Sequence, residues 1–157
     1  MFSRRTDHKL DSGRLWFDGK AVCYESKTFG AWQLSLDEIR VIGEYTTDLG
    51  PFTDDYFICF AAESGRWWEA SYYAEGFGEI LKALGDELKD DLFFDLYGST
   101  DYASHIVWPP HLVGQPMFDF TDATAGGVWQ RLVRFFYPRQ QYTLTERVRS
   151  ELANVPL

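Results

Sequence analysis

The chain has 157 residues, 45% of them hydrophobic, and a formal net charge of −9. That length suits one sizeable core rather than two. The acidic balance argues against nucleic acid and anionic membrane as partners, because both require a positive footprint.

The charge is unevenly spread. Residues 1–124 hold 10 Lys and Arg against 22 Asp and Glu, whereas residues 125–157 hold five Arg against two Glu. The simplest consequence is a basic tail laid against the acidic body of its own or a neighbouring chain; arginines spread over two helices are ordinary helix decoration. Six Trp, nine Tyr and 13 Phe can fill a large core and leave rings over for a surface groove. Cys23 and Cys59 sit in apolar, strand-like runs, so buried free thiols are expected. No apolar h-region follows residues 1–8 and no run approaches the length of a membrane span, which points to a cytoplasmic protein.

Residues 1–13 are a polar lead-in. Leu15-Trp16-Phe17 and the run Ala21–Glu25 flank Asp18-Gly19-Lys20, and Asp-Gly between apolar runs predicts a β-hairpin. A turn over 26–30 leads to residues 31–36, where Trp32, Leu34 and Leu36 alternate with polar neighbours, as in a strand with one buried face. After Asp37-Glu38 the alternation resumes, with Ile39, Val41, Gly43 and Tyr45 set against Arg40, Ile42, Glu44 and Thr46. A loop over 48–55, punctuated by Gly50-Pro51, connects to the apolar run 56–62. A tight turn at Ser64-Gly65 and a tryptophan-rich run over 66–73 follow. Phe77, Ile80, Leu81, Leu84 and Leu88 then fall on one stripe of an amphipathic helix over 76–89.

Beyond the helix, residues 92–97 fit a strand and a short helix equally. Pro109, Pro110 and Pro116 exclude regular helix and central strand, which predicts an extended segment over 98–120 anchored by Ile106, Val107, Trp108, Met117 and Phe118. Two helices close the chain. The first has Thr121, Asp122 or Thr124 as candidate caps, a stripe through Val128, Trp129, Leu132, Val133, Phe135 and Phe136, and Pro138 as its stop. The second opens on a capping box, Thr143-Leu144-Thr145-Glu146, with Leu144, Val148, Leu152 and Val155 facing one way. The expected organisation is one domain over 1–157, a core of residues 14–90 with an extension over 91–157 packed on it.

Chemistry-bearing motifs are sparse. His105 and His111 straddle a proline-rich run without the spacing of metal ligands. Asp101 near His105 has the makings of a base-orienting pair, but no nucleophile elbow accompanies it, and loop histidines with ordinary hydrogen bonds are the plainer reading. Asp48, Asp54 and Asp55 share a loop that lacks the alternating pattern of a calcium site and reads as a solvated turn. Gly76-Phe77-Gly78 lacks the further residues of a phosphate loop and reads as a flexible helix start. No catalytic set, metal site or cofactor is assigned. Trp67 and Trp68 are adjacent on a strand and so point to opposite faces. With Trp108, His111 and Trp129 they make the candidate binding set: partial cover by residues 108–111 or by the Trp129 helix leaves an aromatic groove for peptides or apolar ligands.

The hairpin over 15–25, the run Trp32-Gln33-Leu34-Ser35-Leu36-Asp37-Glu38-Ile39-Arg40-Val41, the strand pair 56–73 and the helix 76–89 follow an order that resembles the bacterial branch of the pleckstrin-homology-like superfold. The resemblance covers about residues 14–90. It implies an α+β fold, a strongly bent antiparallel sheet or partly open barrel plugged by an amphipathic helix. The C-terminal extension, an extended Pro-rich segment and two helices, has no counterpart in a minimal domain of that kind. One strand fewer than usual for the family precedes the helix. The family's phosphoinositide site needs a basic cluster at the first hairpin, where this chain has Asp18-Gly19-Lys20 flanked by Glu25, so lipid binding is not carried over. The expected role is a non-enzymatic protein-interaction or small-ligand-binding domain, acting on a protein partner or through self-association. Two alternatives stand beside it: a small hydrolase using Asp101, His105 or His111, and an acidic inhibitor or immunity-type protein that binds a basic partner.

Overall fold

The computed structural model describes residues 11–48, 54–99, 102–120 and 142–153. Asp18 and Gly19 close the first hairpin as their chemistry predicts. The Asp18 carboxylate accepts the amides of Ala21 (2.7 Å) and Lys20 (2.8 Å), and Gly19 takes φ 98°. Those two bonds hold the Asp18 carboxyl below the usual carboxylate range. Strand β1 (Arg14–Phe17) thereby pairs with β2 (Ala21–Ser26), and β2 with β3 (Gly30–Ser35), in one antiparallel sheet.

A 3-10 turn over Leu36–Glu38 leads into β4 (Ile39–Thr46). With β5 (Tyr56–Ala62), β6 (Trp67–Ser71) and β7 (Ala103–Trp108) it forms a second antiparallel sheet in the order β6-β5-β4-β7. Strands β8 (Phe118–Phe120) and β9 (Tyr142–Leu144) make a third, two-stranded one. Helix α1 (Phe77–Leu88) follows β6, and α2 (Glu146–Ala153) follows β9. The described residues are therefore α+β, with antiparallel sheets of three, four and two strands and two helices, and no closed barrel. None of their helices is long and apolar enough to cross a membrane.

The four-stranded sheet is the middle layer. Every residue of β5 is buried, which explains its unbroken apolar run: a strand covered on both faces has no polar side to alternate with. On one face Ile42, Ile58 and Phe60 meet Val22, Tyr24 and Leu34 of the first sheet and Ile80 and Leu84 of α1. On the other, Val41, Tyr45, Phe57 and Cys59 meet Met117, Phe118, Tyr142 and Leu144, with Val148 and Leu152 from α2. Both cysteines are buried free thiols. The Trp32 indole donates to the Glu69 carbonyl (2.8 Å) and ties the two larger sheets together. The free edge of β1 is tied to the chain leaving β6: the Leu15 amide donates to the Glu75 carbonyl and the Glu75 amide to the Gly13 carbonyl, each at 2.9 Å.

Close approach requires glycine at positions 43 and 76. A Cβ on Gly43 would lie 2.2 Å from the Met117 Sδ and 2.9 Å from the His105 carbonyl oxygen. Gly76, which reads in the sequence as a flexible helix start, holds φ 89°, and a Cβ there would sit 2.3 Å from the Leu15 carbonyl oxygen.

Six strands and then α1, buried through Ile80 and Leu84, match the expectation for residues 14–90. Three expectations change. Residues 92–97 are neither strand nor helix: Leu92, Phe94 and Leu96 turn inward while Phe93, Asp95 and Tyr97 face out, so the segment has a strand's period but joins no ladder among the described residues. Residues 103–108, expected only as extended chain, pair with β4 as the edge strand β7, and the expected anchors Ile106, Val107, Met117 and Phe118 are buried. The prolines come only after the strand, so the ladder is spared. The capping box is also displaced. Thr143 and Leu144 belong to β9, opposite Asp119 and Phe118, and it is the Thr145 hydroxyl that accepts the Val148 amide (3.4 Å) at the start of α2. The predicted helix bearing Trp129 lies outside the described residues.

Candidate functional site

Glu44 projects from β4 toward the α1 side of the middle sheet. Its neighbours across the ladder are Ile58 on β5 and His105 on β7, and Tyr56 lies one pleat along β5 on the same face. The sequence alternation assigns this row of β4 to polar side chains. On that face Glu44 is nonetheless 0% exposed, and Thr46 is buried beside it.

A carboxylate in that position must find its partners inside the protein. The Tyr56 hydroxyl donates to Glu44 Oε2, and the Asp95 amide donates to Oε1 at 3.1 Å. The period of residues 92–97 brings Asp95 to the surface directly above, because buried Leu96 anchors the segment and turns its neighbour outward. Asp95 Oδ1 lies 2.9 Å from His105 Nδ1, which is itself 3.9 Å from Glu44 Oε1. Exposure rises through the group, from Glu44 at 1% of its side chain to His105 at 36% and Asp95 at 71%.

Burial, and then the adjoining Asp95 carboxyl, push Glu44 up to about 7, against the Tyr56 hydroxyl and the Asp95 amide, which favour its ionised form. Asp95 moves the opposite way, lowered first by Glu44 and then by His105. Burial, followed by the bond to Glu44, raises the Tyr56 hydroxyl far above its ordinary range, so it stays a donor. The far face of the sheet carries a second buried pair, the Tyr45 hydroxyl on Glu69 Oε2. Burial there raises both Tyr45 and the Cys59 thiol well above their usual ranges.

Aromatic rings lead from the buried glutamate to solvent. Tyr56 stacks on Tyr72 with centroids 4.1 Å apart, and Tyr72 in turn touches Tyr73 (5.7 Å) and Tyr97 (5.8 Å). The Tyr73 hydroxyl donates to Asp55 (2.9 Å), and Ser71 donates to Asp54. Asp54 and Asp55 are therefore engaged by the end of β6 and the residues just after it rather than solvated alone.

The described members of the binding set expected from the sequence, Trp67, Trp68, Trp108 and His111, do not share one face or one contact group. Trp67 and Trp68 do take opposite faces, but the cover on Trp67 is Phe118 (4.8 Å), not the 108–111 segment, and Trp68 carries the Arg66 guanidinium 5.1 Å over its ring. Trp108 packs against the α1-side core from β7, on the other side of β4 and β5 from Trp68. His111 pairs with Glu151 (3.0 Å), apart from His105 and its Asp95. Trp129 and Asp101 lie outside the described residues; among those described, Asp95 (2.9 Å) and Glu44 (3.9 Å) are the carboxylates near His105 Nδ1. No short spacing links Glu44, Tyr56 and Asp95 to residue 105, so the sequence by itself carries no signal for this group. Comparison with protein-family models, with curated proteins and with solved structures gives no match to this chain.

Proposed function

We propose that the chain is a non-enzymatic binding domain of the pleckstrin-homology-like kind, which takes a basic protein segment on an acidic, tyrosine-rich face. The reading includes its shape: the two larger sheets form a strongly bent, partly open barrel with α1 as its plug. Six antiparallel strands ahead of α1, the bonds joining β1 to Glu75 and the burial of Ile80 and Leu84 in the core shared by both sheets support that shape.

The observation that carries the function is the surface cluster of Tyr72, Tyr73 and Tyr97 beside Asp54 and Asp55. Tyr73 is 47% and Tyr97 70% exposed, on a chain of net charge −9. Tyrosine faces attract Lys and Arg cations, and nearby carboxylates add complementarity that steers encounter and fixes register. Titrating the full chain with lysine- and arginine-rich peptides tests this. Affinity falls with salt, and the double variant Tyr73→Ala/Tyr97→Ala loses about tenfold while melting like the wild type. Salt-independent binding, or equal affinity of the double variant, refutes the reading.

A hydrolytic reading has one observation in its favour, the orienting carboxylate that Asp95 presents to His105 at 2.9 Å. Ester hydrolysis by the full chain that disappears in His105→Ala would select it over the binding domain.

A further inference from the structure

The geometry points to Glu44, Asp95 and His105 as a three-ligand site for a divalent transition-metal ion, with Zn²⁺ the ion its chemistry favours. One ligand atom from each residue lies within 4.8 Å of the other two. Atoms that must each sit about 2.1 Å from one ion can be no more than about 4.2 Å apart. The Asp95 Oδ1–His105 Nδ1 separation of 2.9 Å and the Glu44 Oε1–His105 Nδ1 separation of 3.9 Å both meet that limit. The third pair, Glu44 with Asp95, lies within the 4.8 Å bound, and the 71% exposed Asp95 side chain can rotate to meet the ion.

Three further features distinguish the group from a chance surface cluster. Its base is a fully buried glutamate on a central strand, and the ladder sets His105 directly across from it. The Tyr56 hydroxyl holds Oε2 and leaves Oε1 toward the aspartate and histidine, the outer support that ligating carboxylates commonly have. Two carboxylates and a neutral imidazole also balance a divalent charge, which offsets the cost of an ionised glutamate in the interior. The imidazole ligand favours Zn²⁺ and its neighbours over Ca²⁺ and Mg²⁺, which prefer all-oxygen shells. Binding replaces the Asp95–His105 contact, with His105 in the tautomer that keeps its proton on Nε2. The exposure of Asp95 and His105 leaves the remaining coordination positions to water, so the site is open rather than closed.

Calorimetric titration of the full chain with ZnCl₂ tests the assignment, with His105 imidazole nitrogens followed by NMR. One ion binds per chain with micromolar or tighter affinity, the Nδ1 resonance shifts, and His105→Ala and Asp95→Asn each weaken binding about tenfold or more. Both substitutions fall on exposed or half-exposed side chains, and unchanged melting of the metal-free variants shows that they fold. His111→Ala leaves binding intact, and Ca²⁺ binds about a hundredfold more weakly. The assignment is overturned by an absence of saturable binding, by Zn²⁺ affinity unchanged in His105→Ala, or by Ca²⁺ binding as well as Zn²⁺. None of these outcomes depends on the peptide-binding reading.

Discussion

Replacing Tyr56 by Phe isolates the buried hydrogen bond on which Glu44 depends. Glu44 is 0% and Tyr56 1% exposed, so water cannot take the place of the lost hydroxyl. The ring remains, and with it the stacking on Tyr72 at 4.1 Å with planes 2° apart. What disappears is one donor to a buried carboxylate oxygen. Hydrogen bonds to charged groups contribute about 1.5–3 kcal/mol, and leaving a buried acceptor unpaired costs a similar amount. The variant is therefore expected to lose about 2 kcal/mol, which in a chain of this length lowers the melting temperature by about 4–8 °C. Urea denaturation followed by circular dichroism measures the loss, at a pH above the Glu44 value of about 7 so that the carboxylate is ionised in the native state. Adding Glu44→Met to Tyr56→Phe removes the orphaned acceptor, so the double variant loses at least about 1 kcal/mol less than the two single variants together. A cost below about 0.5 kcal/mol for Tyr56→Phe, or strict additivity in the cycle, would show that the hydroxyl does not support Glu44.

Gly43→Ala is expected to destabilise the fold by about 1–3 kcal/mol. Met117 can shift its flexible end, but the His105 backbone 2.9 Å away cannot, so chemical denaturation should show a loss and an unchanged midpoint would contradict the packing. The displaced helix start makes its own prediction: Thr145→Ala costs about 1 kcal/mol, whereas Thr143→Ala, exposed on β9, stays within about 0.5 kcal/mol. The reverse ranking in thermal melts would return the cap to Thr143.

Much of the first half of the chain is legible because its signals are local. Asp18-Gly19 announces a hairpin since the aspartate carboxylate satisfies the turn amides itself. The spacing of Ile80 and Leu84 announces α1 because a helix in contact with a core on one side needs a stripe. The prolines at 109 and 110 exclude helix and central strand but do not reveal pairing: they mark the end of β7, an edge strand whose partner β4 lies far back in the chain. The cap of α2 did mislead, since Thr143 and Thr145 offer the same hydroxyl and only the pairing of β8 with β9 decides between them.

Element type, turn position and the apolar stripe of α1 are thus properties of the sequence alone, because hydrogen bonding within turns and the repeat of a helix or strand act over a few residues. Which faces are covered is not such a property. Glu44 looks like a solvated strand residue until Tyr56 and the 92–97 segment bond to it, and Asp95 and His105 meet beside it only because β7 pairs with β4 and Leu96 anchors the segment between. Burial depends on what packs from far along the chain, so tertiary structure alone decided that a glutamate, a tyrosine, an aspartate and a histidine share one site.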